Sequence, residues 1–334
     1  MSPAQAPEPV PLSVPVSVED IRAAAERIAP YVHVTPLLTS SALSAACGCE
    51  LRLKGEHLQR SGSFKLRGAL NRLLAMSAAE RAGGVVAFSS GNHAQGVALA
   101  ARLIGMRATI VMPSDAPQVK LEATRGYGAE VVLYDRQRED REAISRALCA
   151  ERGATLVPPF DDPLVIAGQG TIGLELLEQW PELEVVLVPV GGGGLMSGIA
   201  TAVKAARPEV RMIGVEPETG DDARQSLAAG KIVRIAQPVT LADGVATQAI
   251  GHHTFPILRR LVDEIVTVPE LEIMPALELI LTRTKQVVEP TGALATAAAL
   301  SGRLELAGRK VVSILCGGNL DLSILLSLLR RPRS

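Results

Sequence analysis

The stretch Arg60-Ser-Gly-Ser-Phe-Lys-Leu-Arg-Gly-Ala69 decides how the rest of the chain is read. Its small residues make a turn, and the apolar-periodic run Leu66, Leu70, Leu73, Leu74 begins directly behind Lys65. A turn that opens a helix supplies free backbone N–H groups and a positive dipole end, both suited to an anion. A lysine fixed at such a helix start is held in place. Desolvation and nearby positive potential lower its pKa, which turns an ammonium into an amine nucleophile able to form a Schiff base. A solvated first-turn lysine is the bland alternative, and three further stretches weigh against it.

Around this stretch the chain is an ordinary globular one. Its 334 residues leave room for about two domains. Hydrophobic residues make up 47% and charged ones 21%, while aromatics are only 2%, so the core is built from Ala, Val, Leu and Ile. A net charge of -1 argues against a nucleic-acid or anionic-membrane surface. No apolar run reaches the ~18 residues of a membrane span, and no basic-then-apolar signal segment opens the chain. Cys47 and Cys49 are too close for the usual zinc pair, and Cys149 and Cys316 stand alone, which fits a reducing, cytoplasmic setting.

Residues 1–16, with five prolines, read as a disordered or extended tail. Ser17 then caps a helix that Pro30 ends, and a connection through Thr35-Pro36-Leu37, a short helix near 40–46 and a strand over 50–56 lead into the opening motif. From Gly83 strands and helices alternate: strands at 85–89, 108–112, 130–133 and 155–158, with helices at 94–104, 118–126 and 139–152 between them. A second series follows: helix 168–179, strand 185–190, helix 198–206 (its apolar run starting at Leu195), strand 211–216, a loop-rich passage, strand 265–268, helices 272–286 and 292–306, and strand 311–315. Short apolar strands with interleaved helices imply parallel sheets covered on both faces. The expected division is a small α/β domain at 84–158 inserted into a large one made of 17–83 and 159–334.

The second chemical stretch is Ser89-Ser90-Gly91-Asn92-His93-Ala-Gln-Gly96, where strand becomes helix. Gly91 allows a sharp turn, the hydroxyls of Ser89 and Ser90 with nearby amides form a nest for a carboxylate, and Asn92 can donate to a ring oxygen. An ordinary polar cap is the alternative here. His93, a lone histidine without a visible partner, reads as a structural hydrogen bonder. The third stretch, Gly191-Gly192-Gly193-Gly194, follows an apolar strand and precedes a helix, so it exposes successive N–H groups to a phosphate. It lacks the signatures of a Walker loop or a dinucleotide fingerprint, which leaves a small monophosphate cofactor or a flexible turn. The fourth, Cys316-Gly-Gly-Asn319, places a thiol at a strand's carboxyl end, where open α/β sheets bind ligands.

In this order the four motifs closely resemble the serine/threonine dehydratase and serine racemase group, fold-type-II enzymes that use pyridoxal 5′-phosphate. The resemblance runs from about Ser17 to Leu329, and Pro158-Pro-Phe-Asp-Asp-Pro-Leu-Val-Ile-Ala-Gly-Gln-Gly-Thr171 looks specifically like the threonine dehydratases. It implies an α/β fold like that of the tryptophan synthase β subunit, with two open, mainly parallel sheets and helices on both faces. It also implies roles. Lys65 would hold the cofactor and later take the substrate's Cα proton. Phe64 and Asn92 would flank the ring, Gly191 to Gly194 would bind the phosphate, and Cys316 would face the pyridine nitrogen where many relatives carry Ser. Ser89, Ser90, Gly91 and Asn92 would seat the substrate carboxylate, Gly244 would lie over the ring face, and Glu289 would sit near the ring.

Glu216-Pro-Glu-Thr-Gly220-Asp-Asp222 is a separate candidate, since two carboxylates and a carbonyl give hard oxygen ligands for Mg²⁺ or Ca²⁺. In the racemase-like relatives the positions matching Glu216, the Gly220 carbonyl and Asp222 bind a divalent cation; a solvated acidic loop is the alternative.

The expected reaction is β-elimination from L-threonine or L-serine to a 2-oxo acid and ammonia, by a homodimer or homotetramer. A racemase would need an acid on the far ring face, and Ser90 occupies that position; the Pro159-Phe-Asp-Asp162 segment leans toward the dehydratase. A 3-hydroxyaspartate dehydratase would need a cation near the β-substituent, with Arg136, Arg138 or Arg141 as candidates if they face the cleft. A phosphate-binding regulatory module is the non-enzyme alternative, and Lys65 in its context counts against it. Because the chain stops with the resemblance, feedback inhibition through a C-terminal sensing domain is not expected.

Overall fold

The computed structural model describes residues 14–89, 91–116 and 118–329. Ten strands carry the fold: β1 (Leu37–Thr39), β2 (Glu50–Lys54), β3 (Val85–Phe88), β4 (Ala108–Pro113), β5 (Glu130–Tyr134), β6 (Thr155–Leu156), β7 (Val185–Pro189), β8 (Arg211–Pro217), β9 (Glu264–Val268) and β10 (Lys310–Ile314). They form a six-stranded sheet in the order β1-β2-β10-β7-β8-β9 and a four-stranded sheet in the order β5-β4-β3-β6. Every pairing is parallel except β1 with β2 at the edge. Every residue of β3, β4 and β7 is buried, the continuous apolar run that a sheet covered on both faces requires. The four-stranded sheet uses chain between residues 85 and 156 alone, whereas the larger sheet draws strands from both sides of that stretch.

The topology gathers the chemical motifs. Strands β10 and β7 are neighbours, with β2 on the far side of β10, so the segments leaving their carboxyl ends lie together. Phe64 N–H donates to the Cys316 carbonyl at 3.2 Å, and Ser63 bridges Gly317 in antiparallel fashion. Lys65 opens the helix Lys65–Leu74, and Gly194 opens the helix Gly194–Ala206 behind β7.

Both helices pack on Pro163–Gln179 at backbone contact. A Cβ on Gly168 would come within 2.6 Å of the Arg67 carbonyl, and one on Gly198 within 2.4 Å of the Ile166 carbonyl. These glycines let three helices close to a distance that no side chain permits, and Lys65 and the tetraglycine loop line one cleft at their N-terminal ends.

Several boundaries differ from the expected pattern for local reasons. Helix Pro163–Gln179 starts five residues before the expected 168, because Asp162 caps it through Leu164 N–H and Val165 N–H and Pro163 suits its first turn. The expected helix 292–306 is Pro290–Leu300, ended by Ser301 and by Gly302 at φ 70°. The loop-rich passage holds two helices, Asp222–Ala229 and Thr254–Leu261, and Leu37–Thr39, expected as part of a connection, pairs as β1. The first thirteen residues of the expected tail, and Ser90, lie outside the described residues.

Candidate active site

Phe64, Lys65, Ser89, Gly91, Asn92, Gly191, Gly192, Gly193, Gly194, Gly244, Glu289 and Cys316 all line one cleft at the carboxyl ends of the strands. Lys65 projects from the first residue of its helix, and its Nζ donates to the Pro159 carbonyl at 2.8 Å. Burial lowers its pKa to about 8, against the opposing pull of Cys316 and Glu289. Among the described residues no carboxylate contacts the side chain to lock it as an ammonium.

The tetraglycine loop lines the same cleft as Lys65. Gly193 sits at φ 90° as the cap of helix Gly194–Ala206. A Cβ at Gly192 would lie 2.4 Å from the Phe160 ring, and one at Gly193 would lie 2.9 Å from Leu258 Cδ1. The loop is therefore a backbone cradle at a helix N-terminus, the donor set a monophosphate uses. With the Lys65 amine in the same cleft, the lining fits a phosphorylated aldehyde cofactor.

Cys316 is buried and lines the same cleft. Burial, then the charge of Glu289, pushes its thiol well above the ordinary value, so it is a neutral weak donor. Glu289, also buried, is raised to about 7 by burial and next by the charge of Asp243, with Lys120, Asn92 and Lys65 opposing. Asn92 is fixed from two sides: its Nδ2 donates to Glu289 Oε1, and its Oδ1 accepts from Asn319 Nδ2 at 2.8 Å. Gly91 N–H donates to the Ser89 hydroxyl at 3.1 Å, and Gly244 N–H donates to the Thr291 hydroxyl at 3.0 Å.

The structure adds residues that sequence reading missed. Lys120 lines the cleft and pairs with Asp243 at 2.8 Å; although burial opposes it, that carboxylate holds Lys120 above its usual pKa. Phe160 packs on the glycine loop. Behind the cleft, Arg67 forks onto Glu56 at 2.8 and 2.9 Å and onto Glu175 at 2.5 and 3.1 Å, and Lys54 reaches Glu175 at 2.5 Å. That balanced set of two cations and two anions pins the Lys65 helix to helix Pro163–Gln179 and to β2. A charged Arg67 inside the run Leu66, Leu70, Leu73 was the available signal.

His93 has a structural partner: its Nε2 bonds the Val157 carbonyl at 2.9 Å, and burial, then the charge of Lys65, lowers its pKa to about 3, leaving it neutral. Of the three arginines considered for a β-substituent, Arg136 pairs with Asp115 at 2.7 Å and Arg138 with Asp135 at 3.8 Å, while Arg141 lines the cleft.

The acidic loop is apart from the cleft. Glu216 accepts N–H bonds from Ala223 and Arg224 at 2.9 Å each, so it caps helix Asp222–Ala229. Asp222 Oδ2 is buried without a partner, and burial raises Glu216 to about 8 and Asp222 to about 7. Among the described residues no three His, Cys, Asp or Glu side chains are grouped to hold a metal ion.

The fold and the lysine-and-glycine cleft together define a fold-type-II pyridoxal-phosphate enzyme. The chain belongs to the pyridoxal-phosphate dependent enzyme family, whose pattern matches residues 28–317. It is 50% identical to an L-threo-3-hydroxyaspartate ammonia-lyase of a Pseudomonas species over 314 residues, covering 94% of this chain and 98% of that one. Among solved structures it superposes on a threonine deaminase from T.th. with a TM-score of 0.86 at 54% identity, covering 91% of this chain and 99% of that one. It superposes on maize serine racemase with a TM-score of 0.90 at 42% identity, covering 94% of this chain and 97% of that one. Among the described residues no helix is long and apolar enough to cross a membrane.

Proposed function

We propose that this protein is an ammonia-lyase that eliminates water from L-threonine and L-serine, releasing a 2-oxo acid and ammonia. The observation that carries the reading is the Lys65 amine, lowered to about 8 by burial and lining one cleft with a glycine cradle. Pyridoxal phosphate, when bound, supplies the electron sink that makes the Cα–H bond breakable.

The chain's own residues do the rest. Amides of Gly191 to Gly194 would hold the phosphate, and Phe64 and Asn92 would hold the ring, with Asn92 oriented by Glu289 and Asn319. Gly244, with no side chain, would leave room for the ring in the cleft. The neutral Cys316 thiol would meet the ring nitrogen and, unlike a carboxylate, would not keep it protonated, so the bound group would supply a weaker electron sink. Ser89, Ser90, Gly91 and Asn92 seat the α-carboxylate so that the Cα–H bond points at Lys65, whose amine takes the proton. The hydroxyl departs as water, and hydrolysis of the unsaturated product gives the 2-oxo acid and ammonia.

A panel of L-serine and L-threonine, scored on the loaded enzyme for both 2-oxo acid and D-isomer, tests the reading. Chiefly 2-oxo acid is expected, and an excess of D-isomer would establish a racemase instead.

The proposal includes a homodimeric or homotetrameric cytoplasmic enzyme with the inserted small domain at 84–158. It also includes a Mg²⁺ or Ca²⁺ ion on Glu216, the Gly220 carbonyl and Asp222, supported by the unpartnered Asp222 oxygen. Both carboxyls must lose their protons to bind a cation, so affinity should rise as pH passes through 7 to 8. Calorimetric titration with Mg²⁺ and with Ca²⁺ at pH 6 and pH 8.5 checks this; a pH-independent result, or none with either ion, removes the site.

A further inference from the structure

The tetraglycine loop is held by residues that are not among those lining the cleft. The Gly192 carbonyl accepts from the Thr254 hydroxyl at 2.8 Å and from Gly251 N–H at 3.2 Å. Thr254 opens helix Thr254–Leu261 and is fully buried. A planar trans peptide points its C=O and its N–H in opposite directions. The Gly192 carbonyl shares a peptide with the Gly193 N–H, so holding the carbonyl on Thr254 turns that N–H the other way. Among the described residues the Gly193 N–H makes no hydrogen bond, whereas the Gly193 carbonyl accepts from Ser197 N–H at 2.8 Å and starts the helix behind it. Glycine peptides reorient more freely than any others, so donors in such a loop need an outside hold to stay aimed. A Cβ on Gly193 would lie 3.0 Å from the Thr254 hydroxyl oxygen, so Thr254 packs directly on the loop.

Thr254 is fixed in turn. Its hydroxyl accepts from Gly251 N–H at 2.9 Å, and its one proton goes to the nearer of two carbonyls, Gly192 at 2.8 Å over Gly251 at 3.2 Å. Asp161 holds the same turn from outside, accepting from His252 N–H at 2.9 Å and His253 N–H at 2.7 Å. Its chain neighbours all serve the site: the Pro159 carbonyl receives Lys65 Nζ, Phe160 packs on Gly192, and Asp162 caps helix Pro163–Gln179. Four consecutive residues thus tie the amine, the glycine loop, the Thr254 turn and a helix start together.

We propose that Thr254 is a positioning residue for the cofactor's phosphate: by holding the Gly192 carbonyl it aims the Gly193 N–H at the phosphate, and Asp161 fixes the turn that presents its hydroxyl. The inference concerns cofactor recognition and is read without substrate, so it stands or falls apart from the lyase reading. Thr254 acts through a peptide of the loop and not through Lys65. Its loss therefore weakens recognition of the phosphate and leaves the reaction of the amine with an aldehyde unchanged.

The test strips the full-length holoenzyme of cofactor and titrates it spectrally with pyridoxal phosphate and with pyridoxal, which lacks the phosphate. Wild type is compared with Thr254→Val, Thr254→Ser and Asp161→Ala. In Thr254→Val the Kd for pyridoxal phosphate should rise roughly tenfold, the worth of one hydrogen bond, while the Kd for pyridoxal stays where it was. Thr254→Ser keeps the hydroxyl and should stay within about threefold of wild type. Asp161→Ala should move the ratio of the two Kd values in the same direction as Thr254→Val, which decides the case if the valine variant does not fold. A ratio unmoved in Thr254→Val and Asp161→Ala, or equal weakening of both ligands, overturns the proposal. So does a Thr254→Ser protein as weak as Thr254→Val, which would make the effect one of packing.

Discussion

Arg67 and Lys65 stand two residues apart on one helix, both drawn out of solvent, and the surroundings treat them in opposite ways. Arg67 is fully enclosed and met by Glu56 and Glu175. Although burial opposes it, those two carboxylates hold its pKa above the ordinary value, so it is permanently charged. Lys65 meets a single carbonyl, and burial brings it down to about 8. A partnered buried cation is a strut and an under-partnered one is a reagent. The ion network holds the helix still so that the amine two residues away is aimed while remaining uncommitted.

The comparison can be broken at either end, and the largest effect is at the reagent. On the proposed function Lys65→Ala would remove cofactor anchor and base together, so turnover of L-threonine should fall by about 10⁴-fold or more. Its melting temperature should stay near wild type when both are measured without cofactor. Substantial residual turnover would make Lys65 another structural cation.

Next comes the strut. Arg67→Ala leaves Glu56 buried without its partner, which costs about 3–5 kcal/mol, equivalent to a fall in melting temperature on the order of 10 °C. Thermal unfolding followed by circular dichroism reads this directly. A shift of a degree or two would mean that Lys54 and Thr35 satisfy Glu56 by themselves.

The smallest effect is a pH signature. Unfolded lysine titrates near about 10.4, above the value of about 8 that burial gives Lys65. Between those values the unfolded chain holds more protons than the native one, so stability rises with pH across that window. Below it, the folded state carries the cost of an enclosed ammonium. Without cofactor, Lys65→Met should therefore melt higher than wild type at pH 7, and the difference should shrink toward pH 10. A difference independent of pH would attribute it to packing.

Much of this was legible in the chain because the motifs that line the cleft are local. Ser-Gly-Ser-Phe-Lys65, the Ser89–His93 turn, Gly191–Gly194 and Cys316 each sit where a small-residue turn meets a periodic run, and parallel strands carry such turns to one end of a sheet. What escaped notice joins distant chain. Lys120 meets Asp243 across 123 residues, and Arg67 meets Glu175 across 108. Periodicity shows that Arg67 faces the core and is silent about what awaits it there. His93 has the same lesson in reverse, since the Val157 carbonyl 64 residues away turns a tempting imidazole into a structural one. Arg141 could be named as a candidate beforehand, but the choice among three nearby arginines depends on which carboxylates the neighbours occupy. The helix Asp222–Ala229 was hidden because its cap, Glu216, comes from the preceding strand.

The central claim is that the uncommitted amine of Lys65, rather than any other lysine near the cleft, carries the cofactor. Borohydride reduction of the protein loaded with pyridoxal phosphate, followed by peptide mapping, tests it most directly. The account predicts one phosphopyridoxyl group on Lys65 and loss of 2-oxo acid formation in step with labelling. A label on Lys120, or full activity after reduction with Lys65 unmodified, would contradict it.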